Sequence, residues 1–310
     1  MNDERFECCI CHQPQSPPYH ILGGRIYCAR HYAIVNKPHR GFWQAGLIQI
    51  IGMAALSAAL AGLGNVIGPL SGLPLFLAGI VLSVLPAALW LIFFYQQDRL
   101  EPEPKRGIIA VLLTALFLTD VIGRRAVEEW WRLSAWSTFD TTTSLLAALC
   151  ILGPLRQVIA YVAVRAIVYA TPEFDERMDG IVYGTVAGLG VATLLNLRYI
   201  LASEGIVLTA GVIATATTAL AQASFGGLMG YVMAEAKFSH RPLWFVPLGF
   251  AIIAALNGLV SWFIAEVSAV GLTVDPWRSL WLGVAVAVLA YLTLIGLIRR
   301  SISVTLQRSP

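Results

Sequence analysis

Four of the five cysteines in this chain fall within its first 41 residues, in the stretch FECCICHQPQSPPYHILGGRIYCARHY. Cys8-x2-Cys11, a gap of sixteen residues, and Cys28-x2-His31 form two pairs of soft ligands. Each pair, set on a tight turn, can aim two side chains at one point, and two such pairs complete a tetrahedral zinc site. Gly23-Gly24 is the expected turn between them, and Arg25-Ile26-Tyr27 a short strand that delivers the second pair. Cys9 could replace Cys8, and His12 or His20 could compete with His31. A reduced cysteine cluster without metal is the alternative. So small a head buries little core, so a metal would be its main stabiliser. With all four positions filled by protein, the site is structural or partner-binding rather than catalytic. No basic stripe with interleaved aromatics points to nucleic acid.

A second set of polar residues lies where polar residues are expensive. The chain is 57% hydrophobic and 13% charged, against about 25% charged in soluble domains. Long apolar runs follow one another from about Phe42. They divide into about eight candidate spans, near 43–65, 74–95, 107–123, 141–169, 180–202, 206–234, 244–266 and 278–298. The fold class is therefore an all-α polytopic membrane protein with a small N-terminal zinc-binding module, divided as head 1–41 and membrane domain 42–310. The polar head has no early apolar run of the kind a signal peptide needs. Arg30, Lys37, Arg40, Arg99, Lys105, Arg106, Arg177, Lys237, Arg241, Arg299, Arg300 and Arg308 fall on one side if both termini are cytoplasmic, and mainly Arg124, Arg125, Arg132 and Arg278 on the other. That orientation satisfies the positive-inside rule better than its inverse.

Arg156 and Gln157 fall near the middle of the fourth span, where an arginine costs about 2.5–3.5 kcal/mol on insertion scales. Such a residue should face a bundle interior and pair with Gln157, Asn196, Gln222 or Asn257. The fifth span repeats glycine every fourth residue, Gly180, Gly184 and Gly188, so one stripe is bare and admits a close neighbour. Asp179 is placed to cap its start, and Asn196 and Arg198 stand near its far end. Asp120 lies near the outer end of the third span, where an ion pair with Arg124 is expected. The stretch Arg124–Asp140 carries Trp130, Trp131 and Trp136 among charges and suits a helix lying in the membrane interface. Its Glu128-Glu129 pair superficially resembles the paired glutamates of some membrane proteases, but those charges place it at the interface.

Three stretches together resemble the PrsW family of intramembrane proteases, over roughly residues 75–265. The first is the acidic, proline-containing loop with Asp98, Glu101 and Glu103. The second is Glu173-Phe174-Asp175 followed by Asp179-Gly180-Ile181-Val182-Tyr183-Gly184 and Gly188-Leu189-Gly190. The third is the small-residue helix around Gly226, Gly227, Gly230 and Tyr231. The departures bear on function. The family's Pro-x-x-Glu-Glu-x-x-Lys reads here Pro154-Leu155-Arg156-Gln157-Val158-Ile159-Ala160-Tyr161, and its Glu-Asn-x-x-Tyr begins with Leu195. Gln222 and Ile253 stand where the family's histidines are expected. Neither Asp nor Glu occurs between Asp140 and Glu173 or between Asp179 and Glu204, and no histidine between His39 and His240. A metalloprotease needs about three protein ligands and a carboxylate base.

The resemblance thus implies a non-catalytic relative that binds or regulates a membrane protein or peptide in a bacterial plasma membrane. Arg156, Gln157, Asn196, Arg198, Gln222 and Asn257 would form its altered pocket. An active protease built on Glu128 and Glu129, or a transporter or lipid-binding protein using the Arg156 pocket, are the competing readings.

Overall fold

A computed structural model describes residues 7–8, 11, 13–17, 20–22, 25–35, 40–67, 69–97, 105–175, 177–202, 206–239, 241–269 and 276–307. The head consists of an antiparallel pair, β1 (His20–Leu22) and β2 (Arg25–Tyr27), followed by α1 (Ala29–Val35). β2 coincides with the strand expected before the second ligand pair, while the Gly23-Gly24 turn lies outside the described residues.

The rest is helical: α2 (Arg40–Ile67), α3 (Gly72–Gln97), α4 (Lys105–Leu118), α5 (Thr141–Ala147), α6 (Gly153–Ile167), α7 (Arg177–Ala202), α8 (Leu208–Phe238), α9 (Phe245–Ala269) and α10 (Pro276–Gln307). A two-residue ladder, β3 (Pro69–Leu70) with β4 (Ile206–Val207), joins the α2–α3 and α7–α8 connections. α5 and α6 run on through a π-helical turn at Ala148–Leu152 and act as one span. Among the described residues, six helices are long and apolar enough to cross a membrane. α2 and α10 add shorter apolar stretches, Leu47–Leu63 and Leu280–Gly296. The chain is a polytopic helical membrane protein.

α7 and α8 form the centre. Their apolar spans are 78% and 72% buried, against 22–33% for the other four. The glycine stripe explains why. A Cβ on Gly180 would collide with the Gly230 carbonyl, one on Gly184 with that of Gly226, and one on Gly188 with that of Gln222. Four residues forward on α7 are answered by four back on α8, so the two helices run antiparallel at backbone contact, as small-residue interfaces permit. α6 and α9 meet in the same manner, where Gly153 faces the Ala254 carbonyl and Gly258 faces that of Ala148.

No separate interfacial helix forms over Arg124–Asp140. α4 continues through π-helical turns at Thr119–Gly123 and Ala126–Trp130, with Arg124 and Arg125 still in right-handed helical conformation. It ends at Arg132, whose φ of 46° puts it in the left-handed region that stops a helix. Trp130 and Trp131 are exposed at this end of the span, so the tryptophans mark the interface without requiring the helix to lie in it. Asp140 then caps α5: its carboxylate accepts from the Thr143 backbone N–H at 2.7 Å, and the Thr143 hydroxyl accepts in return.

Candidate functional site

Sequence alone singles out two clusters and a loop, and the structure treats them differently. In the head, Cys8, Cys11, Cys28 and His31 converge, with all four ligand atoms within 4.8 Å of one another. Cys28 Sγ lies 3.1 Å and Cys8 Sγ 3.4 Å from His31 Nδ1. The Cys8 N–H bonds the Gln13 carbonyl and closes the first knuckle, while Tyr32 N–H bonds the Cys28 carbonyl and begins α1 at the second. A tetrahedral ion with Zn–S bonds of about 2.3 Å holds its ligands ~3.8 Å apart, so small movements of these side chains would seat one. His20 is not part of the group; its ring stacks on Tyr32 at 4.7 Å. Cys9 and His12 lie outside the described residues. The Gln13 backbone N–H pulls the Cys11 thiol down, but desolvation and the neighbouring Cys8 and Cys28 sulfurs outweigh it and leave that thiol raised. A bound cation would favour the thiolate instead.

At mid-membrane the proposed pocket divides. Gln222 and Asn257, each near the middle of its helix, exchange two amide hydrogen bonds of 3.1 and 3.0 Å. Asn257 Oδ1 also accepts from the Ser261 hydroxyl at 3.2 Å, and Ser261 Oγ accepts from Arg156 at 2.6 Å. Arg156, Ser261, Asn257 and Gln222 therefore form one chain across α6, α9 and α8. Gln157 is buried, and its Oε1 has no partner.

Asn196 and Arg198 lie elsewhere. Asn196 donates to the Thr215 carbonyl on α8 at 3.0 Å, pinning the far ends of α7 and α8. Arg198 pairs with Asp120 across to the α4 extension at 2.5 Å. Asp120 thus takes a partner from another helix rather than Arg124. Arg124 instead lies 3.8 Å from both Glu128 and Glu129, whose side chains are more than half exposed. Those two glutamates are rim charges on a helix end.

Of the family-like loops, Asp98, Glu101 and Glu103 lie outside the described residues. Asp179 sits inside the first turn of α7 rather than at its cap. Its carboxylate reaches back to accept from the Asp175 backbone N–H at 2.8 Å, as an acid in a first turn does when it satisfies a preceding donor. Tyr183 is fully buried under the same loop, stacked with Phe174 at 6.4 Å. Gly180 and Gly184 belong to the α7–α8 contact.

One group went unread in the sequence. Glu235, 1% exposed on α8, accepts from Arg177 Nε at 3.0 Å, from Ser239 Oγ at 3.0 Å and from Arg241. Beside it, Lys237 donates to the Tyr169 and Phe174 carbonyls at 2.6 and 2.7 Å and lies 4.8 Å above the Phe174 ring. Together these tie the α6–α7 connection to the end of α8. The signal in the sequence was an acid within an apolar helix, six residues before an arginine. The charge of Glu235 is thus matched by two guanidinium groups.

Among the described residues, the mid-membrane cluster does not fit a catalytic metal. Arg156, Gln157, Gln222, Asn257 and Ser261 supply a cation, amides and a hydroxyl, and Gln222 and Asn257 spend their amide oxygens on each other. Among the described residues, the convergent Cys/His/Asp/Glu group is the one in the head.

The family model described as PrsW family intramembrane metalloprotease matches residues 103–295. Protease PrsW of Geobacillus kaustophilus is 27% identical over 187 residues, covering 59% of this chain and 77% of that protein. Protease PrsW of Bacillus subtilis is 25% identical over 190 residues, covering 60% of this chain and 82% of that protein. Protease PrsW of Clostridioides difficile is 27% identical over 161 residues, covering 51% and 66% respectively. No solved structure matches this chain.

Proposed function

Because the chain belongs to the PrsW family of intramembrane metalloproteases, we propose that it is a non-catalytic member that binds and regulates another membrane protein. The observation that supports this is the Gln222–Asn257 amide pair at mid-membrane. The resemblance calls for an imidazole at Gln222, and the amide there is saturated by a neighbour instead of being free to hold an ion. Arg156 beside it adds a positive charge, which would repel a second cation. The helices keep the family's glycine-packed frame, α7 against α8, so what persists is a scaffold able to receive a membrane segment.

The head binds one zinc ion through Cys8, Cys11, Cys28 and His31 in this reading, and recruits a cytoplasmic partner. Residues 1–41 form that module and residues 42–310 the membrane domain, with both termini in the cytoplasm of a bacterial cell. The test is incubation of the full-length protein, in zinc-supplemented proteoliposomes, with a panel of single-span membrane proteins, read by mass spectrometry and by co-purification. At least one should co-purify and none should be cleaved. Cleavage contradicts the proposal, and cleavage abolished by Glu128→Ala would put the active site at the α4 rim.

A further inference from the structure

The cysteines that converge in the head differ in exposure. Cys8 is buried, while Cys11 and Cys28 are each partly open to solvent. Their sulfurs and the His31 ring nitrogen all lie within 4.8 Å of one another. A disulfide holds its sulfurs about 2.05 Å apart, so little movement separates these thiols from a bond. The surroundings shield them poorly: Glu7, Gln13, Pro14, Ser16 and Pro17 are exposed around the first pair, and Ile21 on β1 is 58% exposed. A part-exposed sulfur held as thiolate by a cation is the kind that small oxidants reach.

The backbone distinguishes the two accessible cysteines. The Cys28 carbonyl accepts from the Tyr32 N–H at 2.8 Å, which ties Cys28 to the first turn of α1, and His31 lies within that helix. Cys8 and Cys11 lie outside the helices and named strands, on a knuckle closed by the Cys8 N–H to the Gln13 carbonyl at 2.9 Å and by the Glu7–Pro14 bridge. The first pair can therefore rearrange without unwinding a helix. It also closes the shorter loop, which costs less entropy.

Resting on the zinc-binding reading of the head, we propose that Cys11 is a site of oxidation by hydroperoxides, resolved by Cys8 into a disulfide that dismantles the metal site. The Cys11 thiolate attacks one peroxide oxygen, the O–O bond breaks, and water leaves with one added proton. Cys11 is then a sulfenic acid. The Cys8 thiolate attacks that sulfur, the S–S bond forms, the S–O bond breaks, and a second water leaves with a second proton. In sum, two thiolates are oxidised to a disulfide and one peroxide is reduced to two waters. Cys28 and His31 alone are too few for a tetrahedral site, so the ion is lost and with it the main stabiliser of a small module. Recruitment by the head thus requires a reducing environment, and exchange with a reduced thiol restores it.

The test uses full-length, zinc-loaded protein carrying Cys9→Ser and Cys150→Ser, so that Cys8, Cys11 and Cys28 are the remaining thiols. Stoichiometric hydrogen peroxide should release zinc to a chromogenic chelator, and dithiothreitol with added zinc should reload it. After trypsin, the peptide of residues 6–25 should have lost the mass of a hydrogen pair, and that of residues 26–30 should keep a free thiol. Cys11→His retains two sulfur and two imidazole ligands without the attacked sulfur. That variant should load zinc and release it to peroxide about tenfold more slowly. Zinc held through peroxide treatment would overturn the inference. So would release without a disulfide, a disulfide joining residues 6–25 to 26–30, or equally fast release from Cys11→His. Protein that loads no zinc before oxidation would remove the metal-binding reading itself, and this inference with it.

Discussion

The head and the middle of the membrane each gather four polar side chains, and they do so to opposite effect. In the head, three thiols and an imidazole face one another and can satisfy little of each other's bonding; their lone pairs converge on a point. At mid-membrane, Gln222 and Asn257 spend both donors and acceptors reciprocally, and Ser261 links them to Arg156. The first arrangement is one that a cation could complete. The second is complete except for a surplus positive charge. Donor chemistry and mutual saturation, more than clustering itself, separate a metal site from a structural network.

The largest effect should come from the head. Structural zinc in small modules contributes on the order of 10–16 kcal/mol of apparent binding free energy, so chelation or Cys28→Ser should unfold it and expose residues 7–35 to limited proteolysis. Persistence of an intact head after chelation would break the contrast. Next is the frame beneath the polar network. Gly230→Leu places a side chain against the Gly180 carbonyl, and overpacking of about 3 kcal/mol or more should abolish accumulation of folded protein. Gly296→Leu, where nothing lies within 4 Å of the added carbon, should accumulate normally.

Glu235→Ala strands Arg177 and Arg241. Because both arginines are part-exposed, the cost should be about 2 kcal/mol rather than the full ~3–5 of a wholly buried pair, read as a lower midpoint of thermal unfolding. The amide pair is smaller again: a double-mutant cycle on Gln222→Leu and Asn257→Leu should give a coupling of about 1 kcal/mol. A coupling near zero would mean that the two amides are not mutually saturated. The smallest effect is at Asp140. The Thr143 backbone N–H, with help from its hydroxyl, holds this carboxyl below its ordinary value. Its contribution is therefore present above the usual aspartate range near 3.8 and lost as pH falls through the depressed value. Asp140→Asn should flatten that part of the acid unfolding curve slightly.

Much of the frame is legible in the sequence because hydropathy and spacing report depth and small faces directly. The eight apolar segments, the glycine stripe on α7 and the convergence of the two head pairs can be read from residue type alone. What hydropathy does not encode is azimuth and partner. Asn196, Arg198, Gln222 and Asn257 are all polar residues in apolar helices, yet α7 turns the first two to Thr215 and Asp120 while α8 and α9 turn the others to each other. The α4 extension was illegible for a related reason. Its charges and tryptophans mark an interface, but π-helical turns let one helix carry them past the apolar span without a break. Glu235 escaped because its partners, Arg177 and Arg241, come from flanking segments that a span-by-span reading treats as topology signals.

The central claim is that the metal of this family member sits in the head and not among its membrane helices. Metal content per chain, measured on purified full-length protein and on the Cys11→Ser/Cys28→Ser variant, tests it directly. The account predicts one zinc per chain that disappears in the variant while the membrane domain stays folded. Metal retained by the variant would place an ion among α6, α8 and α9, and the non-catalytic reading would fall with it.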